Sequence, residues 1–183
     1  MVTFLAMNTA QYVACETQGR LGTMINTASQ PPVPMPNLDT QLAAARPRPS
    51  ASSPRPIHDL ARFYEMLRNH GALDGITLLQ PDTVHALTSR QRVGMLDATF
   101  RCQIDWGFGF IINSSQYGAA IPYQFGPHAS PDAFGHGGSQ SSSAFCDPEK
   151  KLVVACLFNG CPGEAPHDRR LRATLKTLYE ELF

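Results

Sequence analysis

The sequence predicts an α+β domain in which helices are followed by an antiparallel meander and then by a closing helix. Three patterns carry that expectation. Leu60, Phe63, Tyr64 and Leu67 recur at helical spacing. Apolar segments between Phe134 and Asn159 are divided by short turn sequences, as in consecutive hairpins. Leu171, Leu175, Leu178, Tyr179 and Leu182 share one helical stripe. Strands grouped apart from helices, with no internal repeat, favour α+β over an alternating layout.

Taken in order, residues 1–52 differ from the remainder. Met1–Ala28 is mildly apolar without sustained period, and Pro31–Pro56 holds eight of the fifteen prolines, which deny the backbone both helix continuity and ladder donors. A poorly ordered, proline-rich arm and linker is expected over 1–52, with room for one short helix or strand within Gln11–Met24, and the domain over 53–183. Ser53 can cap a first helix that Gly71 stops, and Pro81 opens a second through about Thr88. Trp106–Ile112, WGFGFII, reads as a strand with its large residues on one side and glycines opposite, where something must approach closely. Asn113–Pro131 reads as a loop over the sheet.

Phe134–His136, Ser141–Cys146 and Lys151–Asn159 are then expected as three antiparallel strands. The unbroken apolar run Leu152–Phe158 predicts burial on both faces and a central place in the sheet. Pro166 can open the final helix, laid across the sheet.

Composition narrows the function. With 183 residues, 43% hydrophobic, the chain has material for one ordinary core. Fifteen basic and fifteen acidic residues cancel, so no net field favours nucleic acid, an anionic membrane or a polyanionic substrate, and no nucleic-acid partner or membrane span is expected. No segment has the length of a membrane span, and Met1–Ala14 has neither a basic start nor a sustained apolar run. Cys15, Cys102, Cys146, Cys156 and Cys161 are odd in number and irregular in spacing, which suits reduced thiols and a cytoplasmic location.

The sharpest candidate site is Gly135-His136-Gly137-Gly138-Ser139. Glycines beside one polar side chain let a ligand reach the strand backbone, and the Ser139 amide could donate to a developing oxyanion. The alternative is a tight turn or bulge with His136 as an ordinary polar residue. Ser139, Ser141, Ser142 and Ser143 invite a nucleophile reading, but strand alternation divides them between two faces, and no Gly-x-Ser-x-Gly occurs. Cys156, Cys161 and His167 match no four-ligand spacing, so no metal and no cofactor is expected. His58, His70, His85 and His128 stand alone as surface or capping residues, and the Trp106–Phe110 aromatics read as core.

Several pieces, in this order, resemble the carboxy-terminal part of the serine β-lactamase and penicillin-binding-protein superfamily, in its esterase-like branch. They are His58-Asp59-Leu60-Ala61-Arg62-Phe63-Tyr64, Leu79-Gln80-Pro81-Asp82-Thr83-Val84, Trp106-Gly107-Phe108-Gly109-Phe110, Phe134-Gly135-His136-Gly137-Gly138 and Phe145-Cys146-Asp147-Pro148-Glu149. The resemblance implies a partial β-lactamase/transpeptidase-like fold, a sheet with helices on both sides. It also implies acyl-serine hydrolysis of small-molecule esters, amides or β-lactams in intact relatives. His136-Gly137-Gly138 looks like the family's Lys-Thr-Gly-type strand motif with histidine in the lysine position, and the Ser139 amide like half of its oxyanion hole.

The sequence departs from that pattern elsewhere. Its lysines are Lys150, Lys151 and Lys176, none preceded by serine at three positions, and no tyrosine begins Tyr-x-Asn. A truncated or incomplete member is therefore expected, inactive alone, with self-association through an uncovered sheet edge. The alternative is a non-catalytic remnant that binds a ligand or partner.

Overall fold

The computed structural model describes residues 25–34, 57–118, 121, 125–158 and 160–183. A five-stranded antiparallel sheet runs in the order β11 (Leu152–Leu157), β10 (Ser142–Asp147), β9 (Phe134–Gly138), β8 (Ile111–Ile112), β7 (Asp105–Trp106). Every neighbouring pair is antiparallel and adjacent in sequence, so the expected meander is present.

One face of the sheet carries Ile111, Phe145 and Val154 against Leu171, Leu175 and Tyr179 of α3 (Glu164–Leu182). The other carries Ile112, Phe134, Ala144 and Cys146 against Tyr64, Met66 and Leu67 of α1 (Ile57–Arg68). Both faces are thus covered by helices, with a separate core on each side.

That layering explains β11 and corrects its position. Val154 faces the α3 core while Val153 and Ala155 pack on the α1 core, so the run is apolar because both faces are covered. Within the described sheet, however, β11 is an end strand and not a central one, and Leu157 is 61% exposed.

The first helix forms as its spacing predicts, but Leu60 and Phe63 of its stripe are exposed while Tyr64 and Leu67 are buried. Residues 69–71 close its end, with the Gly71 amide donating to the Met66 carbonyl at 2.9 Å. The second helix, α2, occupies Pro81–Thr88 with proline in its first turn.

Trp106–Ile112 is not one strand. The chain reverses between β7 and β8, Trp106 pairing with Ile111, and the Gly107 amide donates to the Phe110 carbonyl at 2.9 Å. Gly109 takes the left-handed conformation (φ 84°) that this reversal needs, and Phe108 at its tip is exposed and outside the core. Alternating large residues and glycines imitated a strand. The expected close approach does occur: a Cβ on Gly107 would lie 2.3 Å from the Leu87 carbonyl oxygen at the end of α2.

Of the arm expected over residues 1–52, the described part is a small hairpin, β1 (Ile25–Asn26) with β2 (Val33–Pro34). It docks beside Cys161, whose amide donates to the Ile25 carbonyl at 2.9 Å. The remainder of that arm, and the Ser53 cap, lie outside the described residues. Short hairpins β3 (Ala72–Leu73) with β4 (Ile76–Thr77), and β5 (Leu96–Asp97) with β6 (Cys102–Gln103), complete the strands. The 113–131 segment has one 3-10 turn at Ser115–Tyr117 among its described residues.

Two buried carboxylates tie loops to the sheet. Asp105, fully buried, accepts from Arg90 Nε at 3.0 Å, the Gly94 amide at 2.9 Å, Gln116 Nε2 at 3.1 Å and Tyr117 Oη at 2.9 Å. Asp147, also fully buried, accepts from the Ser130 amide and hydroxyl, the Lys150 amide and, at 2.7 Å, the Tyr179 hydroxyl of α3. Burial alone would raise the Asp147 carboxyl; those donors, Ser130 first, hold it below the ordinary carboxylate range.

Candidate functional site

The His136-Gly137-Gly138 segment is the second half of β9, and it differs from the first half in its pairing. Phe134 and Gly135 pair with β8 on one side and β10 on the other. His136, Gly137 and Gly138 pair with Ala144, Ser143 and Ser142 of β10, but β8 ends before reaching them. Among the described residues they therefore have no strand partner on their outer side, a vacancy in the ladder of the kind an extended ligand chain would require.

Gly135 makes the tight packing behind this edge possible. A Cβ there would meet the Ala144 carbonyl oxygen at 2.3 Å and Phe145 Cβ at 2.4 Å. A Cβ on Gly138 would likewise lie 2.2 Å from Ser142 Oγ. Beyond Gly138 the chain turns through Ser139, Gln140 and Ser141, with Gln140 left-handed (φ 54°) and the Ser141 amide 3.4 Å from the Gly138 carbonyl. Ser139 is exposed, and its amide has no hydrogen-bond acceptor among the described residues.

His136 is exposed on the α1 side of the sheet, in register with Ala144. Its Nδ1 lies 2.7 Å from the Gly137 carbonyl. A carbonyl only accepts, so the neutral ring carries its proton on Nδ1 and leaves Nε2 as an acceptor. The ring centroid lies 5.8 Å from that of Trp106. Trp106 in turn donates from Nε1 to Asp97 at 3.2 Å, and Asp97 accepts from Arg92 Nη2 at 2.5 Å. The Arg92 hydrogen bond, reinforced by the Thr99 and Phe100 amides, outweighs desolvation and keeps the Asp97 carboxyl low. Trp106, read from sequence as core, is half-buried, packs against the core on the α3 side and stands between this charged pair and His136.

The remaining candidate chemistry does not converge here. Ser142 and Ser143 fall on opposite faces of β10, as alternation dictates. The one hydrogen bond of the His136 ring among the described residues goes to Gly137, so no serine hydroxyl is paired with it. Burial pushes the Tyr64 phenol, beneath the His136 backbone, well above its ordinary value, which excludes it as a base near neutrality. Burial likewise raises the Cys146 thiol to about 12 and raises Cys102, Cys156 and Cys161, so none has the thiolate character a nucleophile needs. No disulfide joins these cysteines to one another. No group of three or more metal-ligating side chains forms among the described residues, and no helix there is long and apolar enough to cross a membrane. His58, His70, His85 and His128 are exposed.

Sequence reading found His136 to Ser139 but missed two sets of neighbours. One is Arg92, Asp97 and Trp106. The other is Gln140 with Arg170, whose Nη2 donates to the Gln140 carbonyl at 2.7 Å across 30 residues. Neither set has a local motif; only the glycines of 107 and 109 hinted that the Trp106 strand was short.

Several known proteins resemble this chain. The chain is 30% identical over 101 residues to an N-acetylmuramyl-L-alanine amidase of Bacillus subtilis (strain 168), a match spanning 55% of this chain and 20% of the amidase. A penicillin-binding-protein homologue from Caulobacter crescentus superposes with a TM-score of 0.51 at 30% identity, covering 66% of this chain and 30% of that one. A β-lactamase from Mycobacterium bovis gives a TM-score of 0.53 at 21% identity over 68% of this chain and 43% of that one, a likeness of fold. The chain thus spans a fifth to less than half of the length of these relatives. The Beta-lactamase family profile matches residues 10–179, a stretch that begins ahead of the described helices and ends within α3. With that match across nearly the whole sequence, and the layered sheet of its structural relatives, the chain belongs to the Beta-lactamase family.

Proposed function

We propose that this chain provides the substrate-facing wall of a β-lactamase-family serine hydrolase site for a small ester, amide or β-lactam, and that alone it forms no acyl-serine. The observation that carries the reading is the stretch His136–Gly138, which has no β8 partner, ending in the Ser139 amide, which has no acceptor among the described residues. A substrate lies along that stretch, His136 Nε2 accepts from it or, when protonated, pairs with its carboxylate, and the Ser139 amide donates to the carbonyl oxygen as charge develops there. The sequence supplies no Ser-x-x-Lys and no Tyr-x-Asn, so bond breaking lacks its nucleophile and base. Loss of these groups removes several orders of magnitude of rate in comparable enzymes, roughly 10⁴ to 10⁶. The cysteines suit a reducing, cytoplasmic setting.

Two probes test this. Benzylpenicillin titrated into the ¹⁵N-labelled chain should shift the amides of His136 to Ser139 saturably, while a fluorophosphonate and a fluorescent penicillin should leave the chain unlabelled. Covalent labelling abolished by one Ser→Ala change would sink the claim of inactivity. An in-frame Ser-x-x-Lys upstream in the gene would support the enzymatic reading, and its absence from the complete locus would favour the alternative, a ligand- or partner-binding remnant.

The β11 edge supports a second reading, self-association. β11 has no outer neighbour among the described strands, and Leu157 is exposed at its end. Sedimentation should detect a concentration-dependent dimer that Leu157→Lys weakens; a monomer at all concentrations would rule it out.

A further inference from the structure

We propose that Arg170 on α3 is a positioning residue for the Ser139 turn, fixing the backbone that presents the oxyanion-binding amide. The inference rests on reading Ser139 as that donor. Arg170 is half-buried and makes its bonds in three directions at once. Its Nη2 donates to the Gln140 carbonyl at 2.7 Å and to the Gly160 carbonyl at 2.8 Å, and its Nε to His167 Nδ1 at 3.2 Å. The guanidinium also lies 4.4 Å from the Phe158 ring centroid.

The same loop holds the turn from its other side. The Gly163 amide donates to Gln140 Oε1 at 2.8 Å, and the Phe158 amide to the Ser141 carbonyl at 2.6 Å. Gln140 needs that support because it sits in the left-handed region, where a non-glycine residue is strained. Ser139, by contrast, is held by no bond of its own among the described residues, so its orientation follows from Gln140.

His167 orients the clamp. It is buried, and its Nδ1 accepts from Arg170, so its proton is on Nε2, which has no partner among the described residues. A planar guanidinium matches this set of two carbonyls, one imidazole nitrogen and one ring face; an ammonium does not.

The test is amide exchange and ¹⁵N relaxation in the full chain. Arg170→Gln should raise exchange at the Phe158 and Gly163 amides by about tenfold or more, as loss of a charge-assisted bond implies. The heteronuclear NOE at Ser139 should fall, while Leu171 and Leu175 amides and the near-UV spectrum stay as in the wild type. Arg170→Lys, judged alone should the glutamine variant fail to fold, should raise the same rates by a smaller factor. Unchanged rates and an ordered Ser139 in a folded variant overturn the proposal. Benzylpenicillin separates the two readings: in the wild type it should bind at His136 to Ser139, and in Arg170→Gln about tenfold more weakly. Equal affinity in a variant with a loosened turn also overturns the proposal. Absence of binding to the wild type refutes the hydrolase wall and leaves the exchange rates to decide on Arg170.

Discussion

Replacing Tyr179 with phenylalanine removes one hydroxyl from the most constrained point of the C-terminal helix. That hydroxyl donates to Asp147 Oδ2 at 2.7 Å, and both residues are buried. Burial, then the neighbouring carboxylate, pushes the Tyr179 phenol far above its ordinary value, so it is a neutral donor at any working pH. A hydrogen bond to a charged acceptor contributes about 1.5–3 kcal/mol. Asp147 retains the Ser130 amide at 2.9 Å, the Ser130 hydroxyl and the Lys150 amide at 3.2 Å, so it is not orphaned, and the ring keeps its place in the core. The expected loss is the lower part of the range, about 1.5–2 kcal/mol, or a fall in Tm of about 3–8 °C for a chain of this size. Urea unfolding followed through the single tryptophan, Trp106, measures it, with the slope unchanged. Asp147→Asn should cost more, because an amide cannot accept from all four donors, and the double variant should show about 1 kcal/mol or more of coupling. A loss under about 0.5 kcal/mol, or strict additivity of the two changes, would refute the reasoning.

Other outcomes follow from the same structure. Stability should be level between about pH 7 and 8 and decline below that range: burial, then Arg170, depress His167, so the unfolded chain takes up the proton first, near pH 6.5; it should also fall above about pH 8.5, where thiols that burial keeps protonated in the folded chain ionise in the unfolded one. His167→Gln should remove that early decline in a pH series of urea midpoints. A second decline should begin near pH 4, where Asp97 and Asp147 take up protons in the unfolded chain while their lowered carboxyls stay ionised in the folded one, and continue as pH falls further. Gly107→Ala should cost about 1–3 kcal/mol in urea unfolding, since its Cβ would lie 2.3 Å from the Leu87 carbonyl oxygen. His136→Ala should change stability by less than about 0.5 kcal/mol, its ring being exposed, yet abolish the benzylpenicillin shifts.

The parts of this fold that were legible in the sequence are those decided within a few residues. Proline at the start of α2 and the stripe of α3 are local signals, and both elements form where those signals lie. Position in the sheet is not local. The β11 run showed that both faces are covered, but two helices can cover an end strand as well as a central one. WGFGFII misled for a related reason: large residues alternating with glycines fit a strand and a glycine-built reversal equally, and the pairing of Trp106 with Ile111 around a left-handed Gly109 distinguishes them.

The site divides in the same way. His136 and its glycines could be read because the backbone freedom they confer is written at those positions. What holds them could not. Arg170 reaches Gln140 at one end of β10, and Tyr179 reaches Asp147 at its other end, both from α3. β10, the strand that pairs with the candidate wall, is therefore braced at both ends by one helix. The contacts that brace it lie inside the described residues. A wall built in this way should present His136 and the Ser139 amide before any ligand arrives, which is the condition that the proposed noncovalent recognition requires.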